Sequence, residues 1–329
     1  AFTNRYIEEG LRDRALTRDL EWGIEVPQEG YEGKTIYIWA ENVLGYLSAS
    51  EYVSKDRGTD LRELWGENAK HYYVHGKDNI PFHTIILPAL LTANGEGWHL
   101  PDQIVSSEYL TLEGRKISTS QNYAIWVKDI VDRYDPDSIR YYFLANGPEK
   151  KDADFSWREY VNSHNGELLG AYGNFVNRSL TFIRKYWNKV VPNGKTDAGI
   201  DAEIENLYRT TGDLIEKGAF KDAVAGIFEF VRRANKYFDT ETPWITRTSD
   251  ETACQNTLYQ CVQMIANLAV LLKPFLPFSS EKVCKWLRVD DTWHIHKVPG
   301  GYTLPEIQIL FERIDKSAVE IEVEKLRGR

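Results

Sequence analysis

Two hydrophobic periods divide the chain. Over residues 35 to 150, short apolar runs rich in β-branched and aromatic residues alternate with helical stretches. Thr35-Ile36-Tyr37-Ile38-Trp39 predicts a buried strand. Tyr72-Tyr73-Val74-His75 predicts a second, ended by Gly76, and Ile104-Val105-Ser106-Ser107 a third. Asn79 and Pro81 predict the cap and first turn of a helix carrying Phe82, Ile85, Ile86, Leu90 and Leu91, with Pro88 as a kink inside it. Strands alternating with helices imply a parallel sheet, here only part of one.

From about residue 160 the period becomes helical. Leu168, Tyr172, Phe175, Val176, Leu180, Ile183 and Trp187 form one stripe, stopped at Pro192-Asn193-Gly194-Lys195. Further stripes are Ile204, Leu207, Tyr208, Leu214; then Val224, Ile227, Phe228, Val231, Phe238; then Leu258, Val262, Ile265, Leu268, Leu272. Amphipathic helices joined by short polar loops predict a bundle. The expected organisation is an α/β region over 1–105, a connecting region over 106–160 and an all-α domain over 161–329.

Composition changes this picture little. Apolar residues at 42% and charged residues at 27% fit a globular protein with room for two cores. No apolar run approaches the ~20 residues that span a bilayer, and the first residues lack the apolar core of a signal peptide. The expected compartment is the cytoplasm, with no membrane partner. The chain starts at Ala1, which suggests processing or a fragment of a longer product. Cys254, Cys261 and Cys284 form no C-x-x-C pair, so no zinc site or disulfide framework is expected; Cys254 and Cys261 share a helix face and read as core. A net charge of −9 argues against binding nucleic acid by bulk electrostatics, though not against a local basic face.

Two segments carry candidate chemistry. In Gly76-Lys77-Asp78-Asn79-Ile80-Pro81-Phe82-His83, glycine permits a tight strand-to-helix turn and Asp78 stands where a carboxylate accepts hydrogen bonds from ligand hydroxyls. Its place outside the carboxyl end of a strand, before a helix N-terminus, is where open α/β sheets bind ligands. On spacing alone, a capped helix start with His83 in the core serves equally. In Leu112-Glu113-Gly114-Arg115-Lys116-Ile117-Ser118-Thr119-Ser120, glycine, two cations and three hydroxyls suit a mobile loop closing over a polyphosphate, or an ordinary solvated loop.

In this order the two segments resemble those of the methionyl branch of the class I aminoacyl-tRNA synthetases. The first matches the family's G-x-D-x-x-x-x-H element, and Lys116-Ile117-Ser118-Thr119-Ser120 its K-M-S-K-S loop. Arg18-Asp19-Leu20-Glu21-Trp22-Gly23-Ile24 is similar to the R-D-x-x-W-G-I segment. Tyr37-Ile38-Trp39 with Gly45-Tyr46, Asp154-Phe155-Ser156-Trp157 and Lys273-Pro274-Phe275-Leu276-Pro277 match further landmarks. The resemblance implies a partial Rossmann-type catalytic domain followed by a helical anticodon-binding bundle. The implied chemistry is activation of methionine by Mg-ATP, then transfer of the acyl group to tRNA.

Carried over by position, Gly76, Asp78 and Lys116 to Ser120 would bind ATP, with Asp78 on the ribose or the substrate amine. Arg18, Asp78 and Lys116 would be catalytic; Trp39, Asn42, Tyr46 and His83 would line the amino-acid pocket. Asn174 and Arg178, four apart on one helix face, match an anticodon-reading pair, and Trp244, in a loop after Pro243, a tryptophan that stacks on an anticodon base. Without the family, a polar helix face and a buried Trp are the simpler reading of those three.

The chain also departs from the family. No H-x-G-H signature occurs, so a missing N-terminal half bearing it would be needed for adenylation. Thr119 replaces a lysine, Ala40, Glu41 and Asn42 replace an apolar residue, Asp and Ala, and Leu87 stands where Trp is frequent. These departures leave two alternatives: a non-catalytic tRNA-binding module, and a paralogue that activates another amino acid.

Overall fold

The computed structural model describes residues 2–327; the side chains of Ala40 and Glu41, two of the expected departures, lie outside the described residues. The chain folds as two compact units, Ala1–Tyr109 and Leu110–Arg329.

In the first unit, α1 (Phe2–Glu8) precedes an antiparallel pair, β1 (Thr17–Arg18) and β2 (Thr35–Ile36). The strand predicted over 35–39 stops after two residues. The last bond of the pairing is Tyr37 N to Leu16 O at 2.8 Å. Without a ladder partner, strand propensity does not hold the chain extended, and α2 (Ile38–Asn42) begins.

Beyond α3 (Gly45–Arg57) and α4 (Leu61–Trp65), β3 (Tyr72–Gly76) pairs in parallel with β4 (Gln103–Ser107), from Tyr72 opposite Gln103 to Gly76 opposite Ser107. Both strands were predicted. Val43, Trp65, Tyr73, Leu87 and Leu91 form the core beneath them.

The helix expected from Asn79 is three structures in series. A 3-10 turn, Lys77–Asn79, leads to π-helical turns over Phe82–Ile86 and then α5 (Leu87–Asn94). Asn79 makes no side-chain cap. Pro88 stands in the first turn of α5, where its missing N–H is harmless. The wider π turns just upstream take up the register change that would otherwise be a kink.

The second unit opens on a three-stranded sheet of order β6-β5-β7, formed by β5 (Leu110–Leu112), β6 (Arg115–Lys116) and β7 (Ala153–Phe155). These strands are too short to carry a period of two, and none was predicted. Between β6 and β7 lie α6 (Val127–Val131) and α7 (Pro136–Asn146). One long helical run follows: α8 (Trp157–Ser163), π-helical turns over His164–Gly173, and α9 (Asn174–Tyr186). The bundle continues with α10 (Ala198–Glu216), α11 (Phe220–Glu241), α12 (Pro243–Ser249), α13 (Glu251–Leu272), α14 (Pro277–Leu287) and α15 (Ser317–Arg327).

The predicted stripes are its core. Leu168, Tyr172, Phe175, Val176, Leu180 and Ile183 are buried, and Trp187 packs half-buried against them. Cys254, Cys261 and Cys284 are free and buried. α13 is the central helix, with every residue from Gln260 to Leu272 buried. A helix buried all round has no solvent face for its polar groups, so they must pair inside. Gln263 therefore exchanges two 2.9 Å bonds with the backbone of Val298, and Asn267 does the same with His296 at 2.9 and 3.0 Å.

His164 is another buried polar group, where the π turns face α7. Its Nε2 lies 2.7 Å from Glu312 O and its Nδ1 2.8 Å from Ser138 Oγ. A carbonyl only accepts, so Nε2 carries the hydrogen and Nδ1 accepts from the serine. Burial pushes this imidazole below its ordinary pKa, against smaller opposing pulls from the Glu312 carbonyl and Asp135.

Unfolded chains therefore bind a proton at His164 before folded ones do, and stability is lost as pH falls from about 6.5 towards the lower folded pKa. We expect unfolding free energy to drop over pH 6.5 to 5 by up to about 1.4 kcal/mol per pH unit for this group. His164→Gln should flatten that slope in urea titrations; an unchanged slope would rule out this origin.

Candidate functional site

In the first unit the candidate residues gather on the turn after β3. Gly76 has φ −73° and ψ 154°, an ordinary extended conformation, and no atom lies within 4 Å of where its Cβ would stand. The turn therefore does not need glycine for its backbone; what glycine leaves is open space. Asp78 is exposed, and Tyr109 Oη donates to its carboxylate, 2.6 and 2.7 Å from the two oxygens. Lys77 pairs with Glu108 and sits over the Tyr109 ring at 4.1 Å, so β4 and its following residues fix both sides of the turn.

His83 lies in the π turns and is buried. Its Nδ1 is 2.9 Å from Asn79 O, which fixes the hydrogen on Nδ1, and its Nε2 accepts from Tyr46 Oη at 2.9 Å. His75 stacks on it with ring centroids 4.3 Å apart. Burial, and then the neighbouring His75, push the His83 pKa down, which keeps the ring neutral.

On the adjoining residue of the same π turns, Phe82 stacks with Trp39 at 4.5 Å. Trp39, Tyr46 and His83 are thus tied to one short segment by ring contacts and a hydrogen bond. Asn42 is exposed at the end of α2. Arg18 sits apart from this group, its guanidinium on the carbonyls of Ala15 and Thr17 and 3.7 Å over the Tyr37 ring.

The serine-rich loop lies in the second unit. Glu113 and Gly114, at φ +47° and +73°, form the two-residue turn of the β5–β6 hairpin, the left-handed pair such turns require. Gly114 is therefore a hairpin residue rather than a hinge of the loop. Its N–H donates to Asp154 Oδ1 at 2.8 Å, Thr111 Oγ1 donates to the same oxygen at 2.5 Å, and Glu113 Oε1 accepts from Trp157 N at 2.8 Å. The Asp154-to-Trp157 landmark is a clasp on the hairpin.

Lys116 ends β6, exposed. Past Ile117, Ser118 and Tyr123 exchange backbone bonds of 2.9 and 2.8 Å and close the loop at its base. Inside it, Ser118 Oγ is 3.2 Å from Ser120 Oγ, and Asn122 N donates to Thr119 O at 3.1 Å. The arrangement presents one ammonium and exposed Thr119 and Ser120 hydroxyls from a closed turn, a donor set suited to phosphate oxygens.

On the bundle, Asn174 and Arg178 of α9 face α11. Asn174 Nδ2 lies 3.4 Å from Asn235 Oδ1, while Arg178 donates to Asp239 at 2.5 Å and stands 4.1 Å over the Phe238 ring. Phe238 in turn contacts Trp244, ring centroids 6.2 Å apart. The three candidates therefore form one continuous patch through Phe238. Trp244 is 46% exposed, so it is not a core tryptophan. Nor is it in a loop: Thr242 takes a left-handed conformation at φ +42°, and Trp244 falls in the first turn of α12.

Sequence reasoning missed Tyr109, His75, Phe238 and Asp239 as members of these groups. Tyr73 and His75 are two apart on a strand and so share a face, a signal that was available. Tyr109 and Asp239 reach partners 31 and 61 residues away, which no local pattern reports.

Comparison with known proteins extends these observations. Residues 1–180 match the family model of class I tRNA synthetases (M), and residues 197–329 that of the anticodon-binding domain of tRNA ligases. The chain is 52% identical over 326 residues to methionine–tRNA ligase 1 of Alkaliphilus oremlandii, covering 98% of this chain and 60% of that protein. It is 54% identical over 328 residues to methionine–tRNA ligase 2 of Bacillus anthracis, covering 99% and 60%. The chain thus spans about 60% of the length of these relatives. Among solved structures it is similar to Mycobacterium tuberculosis methionyl-tRNA synthetase in complex with methionyl-adenylate, with a TM-score of 0.83 and 26% identity over 95% of this chain and 62% of that one.

Proposed function

Since the chain belongs to the methionyl family of class I tRNA synthetases, we propose that it is the C-terminal part of a methionine–tRNA ligase that activates methionine with ATP and transfers it to tRNA. One observation carries the reading: the chain is 52–54% identical to methionine–tRNA ligases over 98–99% of its length. The solved relative's methionyl-adenylate supports ATP as the co-substrate. Mg2+ would arrive on the ATP phosphates, its usual mode of binding.

The residues take these roles. Gly76 leaves room for the nucleotide, and Asp78, oriented by Tyr109, accepts from the ribose hydroxyls or the methionine amine. Lys116 to Ser120 hold adenine and phosphates, and Arg18 supports adenylate formation. Trp39, Asn42, Tyr46 and His83 line the methionine pocket; a neutral His83 suits an uncharged thioether side chain, because an imidazolium would lose its hydration there. Residues 1–105 serve catalysis, 106–160 carry the loop, and 161–329 read the anticodon through Asn174, Arg178 and Trp244. Among the described residues no helix is long and apolar enough to cross a membrane, in keeping with action in the cytoplasm.

The test is ATP–pyrophosphate exchange by the full-length gene product across a panel of amino acids. Methionine-dependent exchange is expected; exchange with a different amino acid alone would overturn the reading, and tRNA binding without exchange would favour a binding module. Trp244→Ala should weaken tRNA binding by roughly 5- to 150-fold, the 1–3 kcal/mol of one stacked base. Because Trp244 also packs on the buried Phe238, affinity is compared at a temperature where melting shows the variant fully folded. Normal charging and affinity in that variant would remove the stacking role.

A further inference from the structure

Away from these residues, the connector after α14 assembles a group of ligand-bearing side chains. Asp290 Oδ1 accepts from Thr292 N at 2.9 Å and from the Thr292 hydroxyl, turning the chain back on itself. Trp293 then anchors on α10, its Nε1 3.2 Å from Tyr208 O and its ring edge-on to Tyr208. His296 is anchored on α13 through Asn267, which bonds both its N–H and its carbonyl. Fixed on both sides, this turn holds one ligand atom each of Asp290, His294 and His296 within 4.8 Å of one another.

The hydrogen bonds also decide which nitrogens are free to ligate. His294 Nδ1 lies 2.8 Å from Ile295 O, and His296 Nε2 2.9 Å from Thr292 O. Carbonyls accept, so both of those nitrogens carry hydrogens, leaving lone pairs on His294 Nε2 and His296 Nδ1. One ring nitrogen donating to a backbone carbonyl while the other stays bare is the arrangement of metal-bound histidines. His296 is nine-tenths buried, whereas Asp290 and His294 are exposed.

We propose that Asp290, His294 and His296 bind a divalent transition-metal ion, zinc foremost. Two imidazoles with a carboxylate and no thiolate select Zn2+, Ni2+ or Cu2+ over Ca2+ and Mg2+. Three protein ligands leave a fourth position for water. The two rings are stacked with centroids 4.2 Å apart, and Asp290 Oδ1 stands 3.8 Å from His296 Nε2, the nitrogen that carries the hydrogen. His294 must therefore tilt off the stack, and the Asp290 carboxylate must swing toward His296 Nδ1, for the ligands to converge. A bound ion would pin the connector, and with it the buried Val298, against α13. The cysteine spacing that argued against a zinc site says nothing about such a histidine–carboxylate group.

Isothermal titration of the full protein with Zn2+ alone, together with amide exchange over residues 290–298, tests the site. One equivalent is expected to bind at micromolar concentration and to slow exchange in that segment. His294→Ala, and Asp290→Asn, which keeps the turn's acceptor, should each weaken that binding by more than about 100-fold, beyond the 10–100-fold lost when only an outer partner is removed. Because both positions are exposed, melting in chelator should be unchanged. Saturation only at millimolar zinc, or an exchange footprint at 290–298 that persists in His294→Ala, would overturn the proposal.

Discussion

Replacing Lys116 with alanine in the full-length gene product is expected to slow methionine-dependent ATP–pyrophosphate exchange by about 10²–10³-fold, the cost of losing one preorganised charge stabiliser at a transferring phosphate. The same substitution should leave the melting temperature unchanged, because the side chain is exposed at the end of a hairpin whose clasp runs through Asp154, Gly114 and Glu113. That contrast separates chemistry from folding. Asp154→Ala removes the acceptor for two bonds that hold the hairpin, so it should lower exchange and melting temperature together. If Lys116→Ala exchanges at the wild-type rate, the loop has no phosphate role.

The second large effect is structural. Asp137 of α7 is fully buried and caps α14, accepting from Ser279 N and Ser279 Oγ at 2.6 Å and from Phe278 N at 3.4 Å. Asp137→Ala leaves the first-turn donors of α14 buried without an acceptor. Losing a cap costs about 1 kcal/mol, and an unsatisfied buried donor about 1–3 kcal/mol more, so the variant should lose about 3 kcal/mol. For a unit of this size that is roughly 6–12 °C in melting temperature.

Asp137→Asn should lose less, because its amide oxygen still accepts. Burial holds the Asp137 carboxyl above its usual pKa, so keeping it ionised costs stability as pH rises past the ordinary aspartate range. Asparagine avoids that cost. Urea midpoints of the two variants that coincide with wild type would show that α14 does not depend on this cap.

The sequence was most legible where one physical signal dominates over many residues. The stripes of the bundle repeat over whole helices, and a helix of that length has one way to bury them. Both strands of the parallel pair were readable from shorter signals: Tyr72-Tyr73-Val74 and Ile104-Val105 are aromatic or β-branched, and Gly76 ends the first. The Gly76-to-His83 and Lys116-to-Ser120 segments stood out by their spacing, and the resemblance they carry led to the family that the chain belongs to.

What failed to show was set by partners distant in the chain. Ile38 and Trp39 are good strand residues that became helical where the pairing with β1 ends, at Tyr37 and Leu16. Gly76, read as permitting a tight turn, has an ordinary backbone, whereas Gly114, read as part of a mobile loop, is a positive-φ hairpin residue. Trp244 was placed in a loop because Pro243 precedes it, yet proline at the first helical position starts α12. The Asp290–His294–His296 group went unread because its ligands converge through anchors on α10 and α13, more than twenty residues upstream.

The inward-facing amides of α13 have one more effect. Apolar side chains tolerate sliding, since one leucine in a greasy groove resembles the next. Gln263 and Asn267 do not, because each meets a particular peptide group near the C-terminal end of the chain. A shift of α13 by one turn would strand four polar partners in a dry interior. The two side chains act as a key that admits a single alignment, and they fasten a segment distant in sequence to the helix around which the other helices assemble.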